Sequence, residues 1–186
     1  MSLKVYNSLS RQLEDFVPLN PQEVKMYVCG PTVYNFLHVG NFRGVTFFNL
    51  VRNWLEHRGF KVRYALNFTD VDDKIITRAN EMKMSPGELS EKYIAEYKKD
   101  FANLGLRPHD LNPKVTETMD EITSMVGKLI DNGKAYAVQG DVMYSIESFK
   151  EYGKLSGRHT DELQAGARVD VDEKKRSPLD FADRKS

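Results

Sequence analysis

The sequence predicts an α/β protein built on a parallel sheet, and three observations carry that prediction. Two apolar runs of strand length occur, EVKMYVC (23–29) and KVRYALNF (61–68). A stretch of helical spacing lies between them, and a second helical stretch follows the second run. Strand, loop, helix, strand, helix within about sixty residues is the signature of a βαβ unit, whose crossover makes the two strands parallel.

Each element follows from its residues. EVKMYVC alternates apolar and polar positions and then turns continuously apolar, as a strand entering a core does. GPTVYNFLHVG reads as a loop broken by Gly30 and Pro31. From Asn41 the spacing becomes helical: Val45, Phe48, Val51 (or Arg52) and Leu55 share a face, and Gly59 is a stop. After the second strand, TDVDDKIITRANEM (69–82) predicts a helix with a carboxylate-rich first turn. Such acids suit the positive end of a helix dipole, so for Asp70, Asp72 and Asp73 a structural reading stands level with a functional one.

SPGELSEKYIAEYKKDFANLGL has an explicit helix start: Ser85 as N-cap, Pro86 at the first position and Glu88 completing a capping box. Leu89, Tyr93, Tyr97, Phe101 and Leu104 give that helix one apolar face, a core pattern and not a set of cofactor contacts. RPHDLNP (107–113) reads as a turn-rich hinge and a domain boundary. KVTETMDEITSMVGKLIDNG predicts an amphipathic helix ending at Gly133, and KAYAVQGDVMYSI a hairpin turning near Gln139-Gly140. From Glu147 the chain grows polar, and DVDEKKRS, with the basic run Lys174-Lys175-Arg176, reads as solvated.

Composition narrows the class. The chain has 186 residues, and 27 Lys and Arg balance 27 Asp and Glu, so overall charge signals neither nucleic acid nor membrane. A single cysteine forms no internal disulfide, which points to the cytoplasm. The N-terminus lacks the apolar core of a secretory signal. No run approaches the ~20 apolar residues that span a bilayer.

The chemistry gathers in MYVCGPTVYNFLHVGNFRG (26–44). In an open parallel sheet, ligands bind beyond the carboxyl ends of the strands, where loops lead into helix N-termini. Cys29 ends the first strand and His38 precedes the helix, so topology places both at that edge. The helix start favours a phosphate, and Gly40 has no side chain to block its approach. His38 and Asn41, three residues apart, could hydrogen-bond the phosphates of ATP and stabilise charge as the α-phosphate is attacked.

CGPTVYNFLHVGN resembles the HIGH signature of class I aminoacyl-tRNA synthetases, in the form used by cysteinyl-tRNA synthetases. NFTDVDDKIITRA (67–79), GDVMYSI and LQAGARVDVDEKKRSPLDFA resemble further stretches of that family, and the likeness runs from VYNSLSRQLEDF to Ala182. The resemblance implies a cysteine–tRNA ligase, which activates cysteine with ATP and transfers it to tRNA-Cys. It implies the first half of a Rossmann-like (HUP-type) domain over 1–110, a connective insertion over 111–175 and a truncated return over 176–186.

By the same resemblance, Pro31, Thr32, His38, Gly40 and Asn41 bind ATP, with His38 and Asn41 catalytic. Cys29 would ligate a zinc ion that holds the substrate thiolate, and Thr69 would line the cysteine pocket. A soft thiolate is a far better zinc ligand than a hydroxyl, which would exclude serine. Asn41 stands where the generic motif has a second histidine. The basic run near residue 175 would lie near tRNA. KMS (83–85) is not the KMSKS signature, because the cap explains Ser85 and the family places that signature far downstream.

The sequence also departs from the family. It stops at DFADRKS, before the pocket tryptophan, the other zinc ligands (a cysteine, a histidine and a glutamate), the KMSKS loop and the anticodon-binding domain. The expectation is therefore a chain with little activity alone and with zinc well below one ion per chain. Its sheet would have an open edge that invites self-association. The rival reading is a catalytically dead synthetase-like paralogue that binds a nucleotide or a protein partner, or else a degraded remnant.

Overall fold

The computed structural model describes residues 3–157 and 175–184. In chain order they form β1 (Lys4–Asn7), β2 (Gln12–Asp15), β3 (Glu23–Val28), α1 (Val39–His57), β4 (Lys61–Leu66), α2 (Asp73–Met82), α3 (Pro86–Asn103), α4 (Met119–Asp131), β5 (Ala135–Val138), β6 (Asp141–Tyr144) and β7 (Phe181–Arg184). The chain divides into two compact units. One is Val17–Met119; the other joins the described residues through Phe16 to those from Asp120 onward.

The first unit is the βαβ unit expected. Strands β3 and β4 pair in parallel from Glu23↔Lys61 to Val28↔Leu66. One core gathers Val33, Phe42, Val45, Tyr64, Leu66, Phe68, Ile75, Leu89, Tyr93, Tyr97 and Phe101 from the strands and all three helices. Tyr97 is central to it, stacked on Phe42 and Phe101 and edge-on to Phe68. Of the alternatives Val51 and Arg52, it is Arg52 that is buried. Its guanidinium donates to the Pro108 carbonyl at 2.7 Å and lies 3.4 Å from Asp110 and from Glu56.

That contact belongs to a larger tie. The segment 107–113 lies within the first unit and lines the outer edge of β4. Asp110, Leu66 and Phe68 donate backbone N–H groups to Tyr64, Leu111 and Pro113. The Asp110 carboxylate accepts from the Tyr64 N–H at 2.7 Å.

Three helix starts differ from the sequence reading, each because a side chain caps the helix or tertiary bonding holds the backbone extended. Helix α1 begins at Val39, since His38 itself is the N-cap. Helix α2 begins at Asp73, because Thr69 pairs with the stretch after β3 and Asp72 caps through a bond to the Lys74 N–H. Helix α4 begins at Met119, because Lys114 bridges to Phe68 and Asp70 holds Val115 and Thr116. Helix α3 has the expected cap: Ser85 Oγ accepts from the Glu88 N–H, and Glu88 accepts from the Ser85 N–H. That bonding holds the Glu88 carboxyl below its usual range.

In the second unit β5 and β6 form the expected hairpin, with Gln139 and Gly140 both at positive φ, as a two-residue turn of this hand requires. Val126 of α4 packs against Ala135 and Val142. Strand β7 adds to β6. Buried Asp180 accepts from the Tyr136 hydroxyl at 2.8 Å and from the Ile146 N–H at 3.1 Å.

Strands β1 and β2 form an antiparallel hairpin that the sequence did not announce, since neither face is buried and no alternation results. Most of DVDEKKRS lies outside the described residues, Lys174 included. Arg176 is exposed, and it also packs its guanidinium 4.1 Å over the Tyr136 ring and donates its backbone N–H to that hydroxyl.

Candidate functional site: the turn after β3 and the start of α1

The carboxyl ends of β3 and β4 lead into two features. The first is a tight crossing of the two chains just past the strands. Val28 pairs with Leu66, whereas the next bridge joins Thr32 to Thr69. Three residues (Cys29, Gly30, Pro31) therefore face two (Asn67, Phe68), which is the register slip of a bulge.

The slip brings Gly30 so close that a Cβ there would lie 1.6 Å from the Asn67 carbonyl oxygen. Only glycine fits. Beyond the slip, Thr69 donates its N–H to Pro31 and accepts from the Val33 N–H, each at 3.2 Å. Thus Pro31, Thr32 and Thr69 are brought together, with Cys29 two residues before Pro31.

Cys29 is exposed, its Sγ 3.8 Å from the Gly30 carbonyl. Among the described residues no group of three or more His, Cys, Asp and Glu side chains could hold a metal ion. A catalytic zinc needs three protein ligands and an open position. The residues described therefore do not fit a complete zinc site, and no chemistry is routed through one.

The second feature is the start of α1. The His38 N–H donates to Asn41 Oδ1 at 3.1 Å, and His38 Nδ1 accepts from the Gly40 N–H at 3.1 Å. The pair forms a reciprocal capping box, built with an imidazole and an amide. Because Nδ1 accepts, the neutral ring carries its proton on Nε2, which is left as a donor. Asn41 keeps its Nδ2 donor, its oxygen being used by the cap. Gly40 matters for this cap: a Cβ there would sit 2.8 Å from His38 Cε1 and displace the ring. The loop leading in is held by Phe36, edge-on to Tyr93 at 5.3 Å, and by Tyr34 beneath the Lys74 ammonium.

The acids of the 70–73 stretch take structural roles. Buried Asp70 accepts from the Val115 and Thr116 N–H groups and from the Thr116 hydroxyl. Asp72 caps α2, and Asp73 is its first residue.

Sequence reasoning passed over Asn67 and Tyr27. Asn67 Oδ1 accepts from the Gly30 N–H at 2.8 Å and from the Tyr27 hydroxyl at 2.9 Å. A polar amide ending an apolar strand, opposite a glycine ending the other, was the available signal.

His109, in the segment along β4, is half-buried and packs on the aromatic residues of the core. Its ring is edge-on to Tyr64 at 4.7 Å and packed on Phe101. Burial, aided by Arg52 and opposed by Asp110, pushes its pKa down to about 4.

Residues 15–186 match the family described as tRNA synthetases class I (C) catalytic domain. The chain is 78% identical over 180 residues to a cysteine–tRNA ligase of Bdellovibrio bacteriovorus. It is 55% identical to one of Carboxydothermus hydrogenoformans and 53% to one of Heliobacterium modesticaldum. At least 97% of this chain is covered in each comparison, yet it spans only 37–39% of those relatives' length.

Among solved structures, the LeuRS of Agrobacterium radiobacter K84, in a ternary complex with tRNA and LeuAMS, superposes with a TM-score of 0.56. That match covers 72% of this chain and 18% of the other at 17% identity, and it speaks for the fold. The chain belongs to the class I (C) tRNA synthetase catalytic-domain family.

Proposed function

We propose that the chain carries the ATP-binding start and part of the cysteine pocket of a cysteine–tRNA ligase, which activates cysteine as its adenylate and transfers it to tRNA-Cys. The observation that carries this reading is the reciprocal cap of His38 and Asn41 at the start of α1, at the end of the loop whose Thr32 pairs with Thr69. Identity of 78% to a curated cysteine–tRNA ligase supports the choice of amino acid.

In this reading His38 Nε2 and Asn41 Nδ2 donate to the phosphates of ATP. Donors already fixed by the cap lose little reorganisation as charge develops on the α-phosphate. Pro31, Thr32 and Gly40 provide close backbone approach. Cys29 supplies one zinc ligand and Thr69 a hydroxyl in the cysteine pocket. The remaining metal ligands would come from sequence found in the longer relatives. Residues 1–110 form the first half of the nucleotide-binding domain and 111–175 the insertion, with 176–186 returning from it. The cytoplasm is the compartment we propose. The free edge of β3, paired with β4 alone among the described strands, is where self-association would occur.

The test is a hybrid ligase, in which this chain replaces the matching 180 residues of the Bdellovibrio ligase. Cysteine-dependent ATP–pyrophosphate exchange that rejects serine supports the reading. A hybrid that is folded and inert overturns it and favours the paralogue that only binds a nucleotide or protein partner.

A further inference from the structure

We propose that Asn67 is the positioning residue of the cysteine pocket, holding the Cys29–Gly30 peptide and the Thr69 hydroxyl in one geometry. This rests on the reading of Cys29 and Thr69 as pocket residues.

The argument begins with the register slip. Past Val28 the ladder gains a residue on one side, so Gly30 has no regular strand partner for its N–H. A half-buried backbone donor left unpaired is costly, and Asn67 supplies the acceptor from its side chain at 2.8 Å. The same oxygen accepts from the Tyr27 hydroxyl at 2.9 Å, and the Gly30 N–H, which can only donate, fixes the orientation of the amide. Its nitrogen then points the other way and lies 3.4 Å from Thr69 Oγ1.

Two consequences follow. The peptide joining Cys29 to Gly30 is pinned, and with it the direction in which the exposed thiol leaves the chain. Thr69 Oγ1 accepts from Asn67, so its own hydrogen is free to donate outward. One side chain thus sets the aim of both groups without itself reaching the substrate. Aspartate at 67 would keep the acceptor for Gly30 but lose the donor to Thr69. Alanine would lose both.

The first arm of the test is amide hydrogen exchange of Gly30 in the 186-residue chain. Asn67→Ala should cost about ten-fold in protection, as expected for loss of one hydrogen bond, and Asn67→Asp should retain it. The second arm is the hybrid ligase. Asn67→Ala should raise the KM for cysteine about ten-fold with the KM for ATP unchanged, since positioning is lost on one substrate alone. Asn67→Asp should give a smaller rise in the cysteine KM.

Unchanged Gly30 protection in Asn67→Ala, or equal rises in both KM values, overturns the proposal. If Asn67→Ala does not fold, Asn67→Asp decides: retained protection with a raised cysteine KM supports it, and lost protection overturns it. Should Cys29→Ala leave the hybrid's cysteine KM unchanged while Asn67→Ala raises it, the ligand role of Cys29 fails and the positioning role of Asn67 stands.

Discussion

Asp70 shows how an acid that the sequence leaves open between a structural and a functional role can be spent on architecture. Its carboxylate is buried and satisfied by three donors from Val115 and Thr116. Replacing Asp70 by Ala leaves those donors without their acceptor and should cost about 2–3 kcal/mol of stability, read by urea denaturation. His109 is the complementary case, a histidine kept neutral by its surroundings. Its pKa falls from 6.5 to about 4 on folding, so between those values the unfolded chain binds a proton that the folded chain refuses. Stability therefore declines as pH drops from 6.5 toward 4, by an amount on the order of 2 kcal/mol once partial solvent exposure is allowed for. His109→Leu should flatten that slope in denaturation curves measured across the same window. A slope unchanged in His109→Leu would assign the pH dependence to other groups.

The helices and strands were legible where local chemistry decides them. Ser85, Pro86 and Glu88 fix the start of α3 by themselves, and Ser85→Ala should lower thermal stability by about 1 kcal/mol without moving the rest of the fold. Gln139-Gly140 fixed the hairpin in the same way. The starts of α2 and α4 were read too early because neither is local. Thr69 is held extended by Pro31 and Val33, and Thr116 by Asp70, 46 residues away. The segment 107–113 looked like a hinge for the same reason: its turn-forming residues say nothing of the bonds from β4 that hold it. At the candidate site the sequence yielded His38, Gly40 and Asn41 as a motif. It did not yield the cap that joins them, because no spacing rule foresees an imidazole accepting from its own helix.

The first unit presents a strand paired on one side and an exposed apolar face of α1. Strand β3 has a neighbour on one side only among the described strands, and α1 exposes Phe47, Leu50 and Trp54 on the side away from its buried residues. Sedimentation velocity on the 186-residue chain should show concentration-dependent association, weakened by Leu50→Glu and Trp54→Glu together; a monomer at every concentration would refute it. The relatives extend well beyond the matched residues, and in the proposed function that extra length would carry the remaining metal ligands and the second half of the sheet. The most direct measurement is cysteine-dependent ATP–pyrophosphate exchange, run side by side on this chain and on its hybrid with the Bdellovibrio ligase. Background exchange is expected from the chain alone. The hybrid should exchange with cysteine but not serine, and Cys29→Ala should abolish that exchange. Exchange by the chain alone at the hybrid's rate, or a Cys29→Ala hybrid that still activates cysteine, would contradict the proposed function.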